Sequence, residues 1–215
     1  YEVRWLMKDL DGDPVKNLLL SFSSAQGSRS APRTLLAKNP KGSSFMWDTT
    51  KLPTGDDYTL AIEASDGFAT TSTEITIAID NTPPALDTFT LAKRSFTGEG
   101  ELRASGSASD DLSGIEYIEY AIIEEDEEIS AKAWQKGVIT EGALGKKAKW
   151  TIAAPLRAPD GSYRILLRAV DASGNISPTK ADALLVDSTP PRLGSFSISF
   201  HEAPLFPRDG RYTIP

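Results

Sequence analysis

The 215-residue chain has no cysteine, a single histidine (His201) and two methionines. Without cysteine, disulfides contribute nothing, and their absence leaves the compartment open, since only their presence is informative. A Ser-His-Asp triad would have to use His201, and the nucleophile-elbow pattern Gly-x-Ser-x-Gly does not occur. A histidine-based zinc site lacks partners. No enzyme is expected. The chain also lacks a basic excess: 23 Lys and Arg stand against 30 Asp and Glu, for a net charge of −7. That balance argues against a phosphate backbone as partner and against an anionic membrane surface. It suits calcium, which takes carboxylate oxygens. No apolar run approaches the ~20 residues of a membrane span, and no signal-peptide pattern is seen. The opening Tyr1-Glu-Val-Arg-Trp5 reads as the middle of a strand, so a fragment of a longer protein is expected. Helical 3.6-residue periodicity is missing throughout.

What is present is repetition. Asp80-Asn-Thr-Pro-Pro84 recurs 107 residues later as Asp187-Ser-Thr-Pro-Pro191. The stretch Tyr58 to Asp66-Gly67 recurs 105 residues later as Tyr163 to Asp171-Ala-Ser-Gly174-Asn175. A fixed period of this kind signals a tandem array. The expected units are 1–80, lacking its first strand, and 85–187, with linkers 81–84 and 188–191 and an incomplete third unit over 192–215. Two consecutive prolines fix φ and restrict the residue before them, so each joint reads as a stiff, extended connector.

Within each unit, short runs alternate apolar and polar residues between turn signals. Val3, Trp5 and Met7 predict a strand, as do Leu18–Phe22, Ser44–Trp47 and Tyr58–Ala64. Thr73–Ile79 puts Ile75, Ile77 and Ile79 on one side. In the second unit the strands fall at Phe89–Leu91, Leu102–Ala108, Ile115–Ile123, Ala133–Ile139, Lys149–Ile152, Tyr163–Val170 and Ala183–Val186, and Phe196–Phe200 begins another. The fold class is therefore all-β, with tandem sandwiches joined by Asp-(Asn/Ser)-Thr-Pro-Pro linkers.

Leu52-Pro-Thr-Gly-Asp-Asp-Tyr58 and Leu156-Arg-Ala-Pro-Asp-Gly-Ser-Tyr163 resemble the tyrosine corner of Ig-like and fibronectin-type sandwiches, whose hydroxyl bonds a backbone group upstream. With Trp47, Trp150 and the Asp-Asn-Thr-Pro-Pro joint, the chain resembles the bacterial Ig-like, or fibronectin-type-III-like, repeats of large surface and secreted proteins. Residues 206–214 resemble the start of a further Ig-like type found in secretion and flagellar-hook-associated proteins. The resemblance implies a non-catalytic structural or adhesive module of an extracytoplasmic bacterial protein (cell surface, periplasm or secreted), a semi-rigid stalk or protein-interaction unit. The alternative is an accessory binding module, for a carbohydrate or a protein, attached to an enzyme. Partners would be a protein, a surface glycan or neighbouring domains of the parent chain.

In such a sandwich the loops after the second and sixth strands lie at the pole where the chain enters. In unit two those loops carry Asp110, Asp111 and Asp171, and Asp80 arrives there from unit one. The four carboxylates are the candidate calcium ligands. Asp9, Asp11 and Asp13, with Asp66 nearby, have the odd spacing of a calcium loop. However, Pro14 and Leu20 stand where an EF-hand needs Gly and Glu, so a solvated turn is expected. Glu124–Glu128 reads as a charged hairpin tip that blocks edge pairing. Trp47 and Trp150, at matching positions, are expected in the cores. Trp5 belongs to the first predicted strand. Trp134, without a counterpart, is the residue a sugar platform would use. Residues 192–215 are also expected to supply a strand to an open edge, in this chain or a neighbour.

Overall fold

The structure is a computed structural model that describes residues 1–8, 14–24, 32–130 and 133–195. The regular elements of the described residues are β-strands. β1 (Glu2–Arg4), β2 (Asn17–Ser24), β3 (Thr34–Lys38), β4 (Ser44–Met46), β5 (Gly55–Ser65) and β6 (Thr70–Ile79) build the first sandwich. Its sheets are β1-β4 and β3-β2-β5-β6. β7 (Ala85–Leu91), β8 (Ser95–Phe96), β9 (Glu99–Ser109), β10 (Ile115–Glu124), β11 (Gln135–Lys136), β12 (Val138–Glu141), β13 (Lys147–Arg157), β14 (Gly161–Asp171) and β15 (Lys180–Val186) build the second. Its sheets are β12-β13-β9-β7 and β11-β10-β14-β15-β8, and only β8 runs parallel to its neighbour. These are the two sheets of an Ig-like sandwich. No strand pairing between described residues crosses Asp80.

The period-2 pattern decides which side of each strand is buried. In β13, Ala148, Trp150, Ile152, Ala154 and Leu156 face in, while the residues between them face solvent. Trp150 packs near Phe89 with ring centroids 6.2 Å apart, and Trp47 near Phe22 at 4.9 Å. Both tryptophans are core residues, as their matching positions require. The tyrosine corners form: Tyr58 donates its hydroxyl to Pro53 O at 2.7 Å and Tyr163 to Pro159 O at 3.1 Å. Gly106 on β9 permits the close approach of its neighbour β7 and of the Trp150 ring. A Cβ there would lie 2.0 Å from Thr88 O and 2.6 Å from the Trp150 ring.

The structure differs from expectation at five places. β1 stops at Arg4, short of Trp5 and Met7, because its partner β4 is only three residues long. The run 133–139 is not one strand: Gly137 lets the chain leave β11 on one sheet and enter β12 on the other. β3 and β8 were not expected. β3 is an edge strand with Leu35 exposed and no clean alternation, and β8 is two residues long. Ile75, on the side of buried Ile79, is 57% exposed.

Candidate functional site at the joint

Asp80 follows β6 directly. Its Oδ1 accepts from the Thr82 amide at 3.0 Å and the Thr54 hydroxyl at 3.4 Å. The Asn81 side chain donates to Thr49 O and Leu52 O at 2.7 and 2.8 Å. These bonds fasten the joint to the first sandwich. Among the described residues, two others cross it. The Ser113 amide donates to Asp80 Oδ2, and Asn175 Nδ2 donates to Asp80 O, both at 3.0 Å. Asn175 Nδ2 also donates to Asp171 Oδ2 at 2.8 Å, so one side chain ties the incoming backbone to the loop after β14.

Asp110 and Asp171 each cap their own turn. Asp110 Oδ1 accepts from the amides of Leu112 and Gly114 at 3.0 and 2.7 Å. Asp171 Oδ1 accepts from those of Ser173 and Asn175 at 2.9 and 2.8 Å. Gly114 has φ 82°, a conformation natural to glycine, and its carbonyl takes the Ala172 amide at 3.0 Å, locking the two loops together.

The outcome is that Asp80, Asp110 and Asp171, all buried, each bring an oxygen within 4.8 Å of the others. Asp111, the fourth expected ligand, is not in this group. It follows Asp110 in the turn and is exposed. None of the three enters a salt bridge among the described residues. Burial on its own would raise the Asp80 carboxyl, but hydrogen bonds from Ser113, Thr82 and Thr54 outweigh it and hold it below the usual carboxylate range. Each pair of ionised carboxylates at such separations repels by about 3–4 kcal/mol at an effective dielectric of about 20. The donor set is oxygen only, which fits a hard cation such as calcium. Ser113, Thr54 and Asn175 were not anticipated. The spacing Asp171-x-x-x-Asn175 was the one available signal for the last of them.

The second joint is built differently. Thr189 N donates to Asp187 Oδ1 at 3.1 Å, the turn that Asp80 makes with Thr82. Where Thr54 serves the first joint, Asp160 serves the second. It accepts from the Ser188 amide at 2.8 Å, from the Ser188 hydroxyl, and from the Thr189 hydroxyl at 2.6 Å. The Ser188 and Thr189 donors lower Asp160 to about 2. A depressed carboxyl stabilises the structure above its unfolded pKa, and that contribution disappears as pH falls through the folded value. The second joint should therefore stay closed at pH 4 and loosen toward pH 2. Following the Asp160 carboxyl carbon and the Ser188 amide by NMR tests this: both should titrate together near 2, and a midpoint at the ordinary carboxylate value would refute the cap.

The other candidates fall elsewhere. Asp9, Asp11, Asp13, His201 and the run 196–215 lie outside the described residues. Asp66 Oδ1 accepts from the amides of Phe68 and Ala69, both at 2.7 Å, as a turn cap. Glu124–Glu128 is exposed throughout, running from the end of β10 into a turn. Trp5 is half-buried. Trp134 is half-buried too, with the Arg168 guanidinium 4.0 Å above its ring and Arg168 held by Glu119 at 2.6 Å, so one of its faces is occupied.

No family model and no curated protein matches the chain. Among solved structures it is similar to the fibronectin(III)-like modules of Clostridium thermocellum CbhA, at 15% identity and a TM-score of 0.42, over 91% of this chain and 90% of that one. It is also similar to a chimeric titin Z1Z2 tandem, at 15% identity and a TM-score of 0.24, over 86% and 89%. The fold assignment rests on the strand order itself.

Proposed function

We propose that the chain is a non-catalytic structural module of a larger extracytoplasmic bacterial protein, a semi-rigid stalk or protein-interaction unit stiffened at the Asp80 joint. The observation that carries this reading is the convergence of buried Asp80, Asp110 and Asp171 from both sides of the joint. A spacer that only had to separate two bodies would need no buried charge there, and burying like charges is costly unless they are paired or hold a metal. Calcium is the proposed occupant. With it bound, the three carboxylates change from a source of repulsion to a clamp. The stalk then stiffens where calcium is plentiful, as outside cells.

Thermal unfolding in EDTA and then in millimolar calcium tests this, on the unaltered chain and on Asp80→Asn/Asp171→Asn. A ligand that binds only the folded state stabilises it by about 2.7 kcal/mol at a hundredfold excess over Kd. The expected result is a calcium-dependent rise in the unaltered chain that the double variant loses. No shift in either protein would remove the metal and leave the Ser113 and Asn175 hydrogen bonds as the whole of the joint.

A further inference from the structure

The three carboxylates at the joint divide their oxygens in the same way. Each Oδ1 accepts two hydrogen bonds. Asp80 takes the Thr82 amide and the Thr54 hydroxyl, Asp110 the amides of Leu112 and Gly114, and Asp171 those of Ser173 and Asn175. Each Oδ2 accepts one or none among the described residues. Asp80 Oδ2 takes the Ser113 amide, Asp171 Oδ2 takes Asn175 Nδ2, and Asp110 Oδ2 takes nothing. A carboxylate oxygen offers about two lone-pair sites. The turns therefore fill the Oδ1 atoms, and the Oδ2 atoms keep room for a cation.

A fourth oxygen stands beside them. Ser113 lies between Asp110 and Gly114 in the turn. Its amide is 3.0 Å from Asp80 Oδ2, and its hydroxyl is near enough to help lower the Asp80 carboxyl. Yet the hydroxyl oxygen is buried and makes no well-aligned hydrogen bond among the described residues. A buried hydroxyl left in that state destabilises a fold, and it is explained when an ion completes it. The fold does not need it, because the Ser113 amide alone makes the crossing bond to Asp80.

We infer that the Ser113 hydroxyl is a fourth protein ligand of the calcium held by Asp80, Asp110 and Asp171. The inference rests on calcium being the occupant of the joint. Calcium takes six to eight oxygens and accepts neutral donors among carboxylates. Three carboxylates already exceed the charge of a divalent cation. A neutral oxygen adds a bond to the ion without adding repulsion. Asp111 is exposed and does not compete for the place. Ser113 then has two separate roles. Its amide ties the sandwiches together whether or not the ion is present, and its hydroxyl is satisfied only when the ion is bound.

Isothermal titration of the chelator-stripped full chain with calcium chloride tests this, with Ser113→Ala beside the unaltered protein. Alanine keeps the amide that bonds Asp80. The unaltered chain should bind calcium, and Ser113→Ala should bind it at least about tenfold more weakly. In EDTA the variant should melt no lower than the unaltered chain, because the hydroxyl it lacks had no aligned hydrogen bond to lose. Europium(III), another hard cation, gives a second readout. Luminescence lifetimes compared in H2O and D2O count the waters on the bound ion, and Ser113→Ala should carry about one more, in the place of the lost oxygen. Calcium binding as tight in the variant, an unchanged water count, or a lower melting temperature in EDTA would overturn the role of the hydroxyl and leave the calcium reading standing. An unaltered chain that takes up no calcium would overturn both.

Discussion

Replacing Trp150 with alanine should remove about 3–5 kcal/mol from the second sandwich, while the first stays folded. Trp150 is 1% exposed on β13. The space it fills is made for it: opposite it Gly106 has no side chain, and β7 passes so close that a Cβ on Gly106 would collide with both. Alanine would leave a cavity that this backbone cannot close, because β7, β9 and β13 are already fixed by their ladders. One effect pulls the loss toward the lower end. The indole N–H is buried without a partner, and its cost goes when the ring goes. The net stability of a domain is about 5–15 kcal/mol, so the variant gives up a large share of it. Urea unfolding followed by circular dichroism measures this. The variant should show an early transition for the second sandwich, and a loss under about 1 kcal/mol would refute the packing argument.

Asn175→Ala should free the two sandwiches to reorient. Among the described residues, its side-chain amide is the one group that bonds both the incoming backbone at Asp80 and the carboxylate of Asp171. A hydrogen bond to a charged group contributes about 1.5–3 kcal/mol, so the joint loses its main tie without a change in charge. Asp171 keeps the amides of Ser173 and Asn175, and the second sandwich should stay folded. Among the described residues, the remaining crossing bond, from the Ser113 amide to Asp80, opposes the repulsion of the three carboxylates alone. Calcium should restore part of the lost rigidity, because Asn175 is not among the converging carboxylates.

Much of this architecture was legible because it follows from local chemistry. Period-2 alternation located β5, β6, β10 and β14. The Pro-containing run before Tyr58 and Tyr163 marked both tyrosine corners. The repeated Trp47 and Trp150 marked the cores. The site was legible in outline only. Sequence placed Asp80, Asp110, Asp111 and Asp171 at one pole, but choosing between adjacent Asp110 and Asp111 depends on which side chain turns inward to cap the turn. That is decided by the left-handed Gly114 and its carbonyl bond to Ala172. Ser113 contributes through its backbone, which residue type does not reveal. β3 escaped because an exposed edge strand has no buried face to enforce alternation.

A joint stiffened as proposed would make the two sandwiches tumble together, and backbone ¹⁵N relaxation tests this most directly. In the unaltered chain with calcium, the amides of β5 and those of β14 should report a single rotational correlation time. In Asn175→Ala with EDTA, each set should fall toward the time of a body of about 100 residues. Two different, short correlation times in the unaltered chain with calcium would contradict the rigid joint.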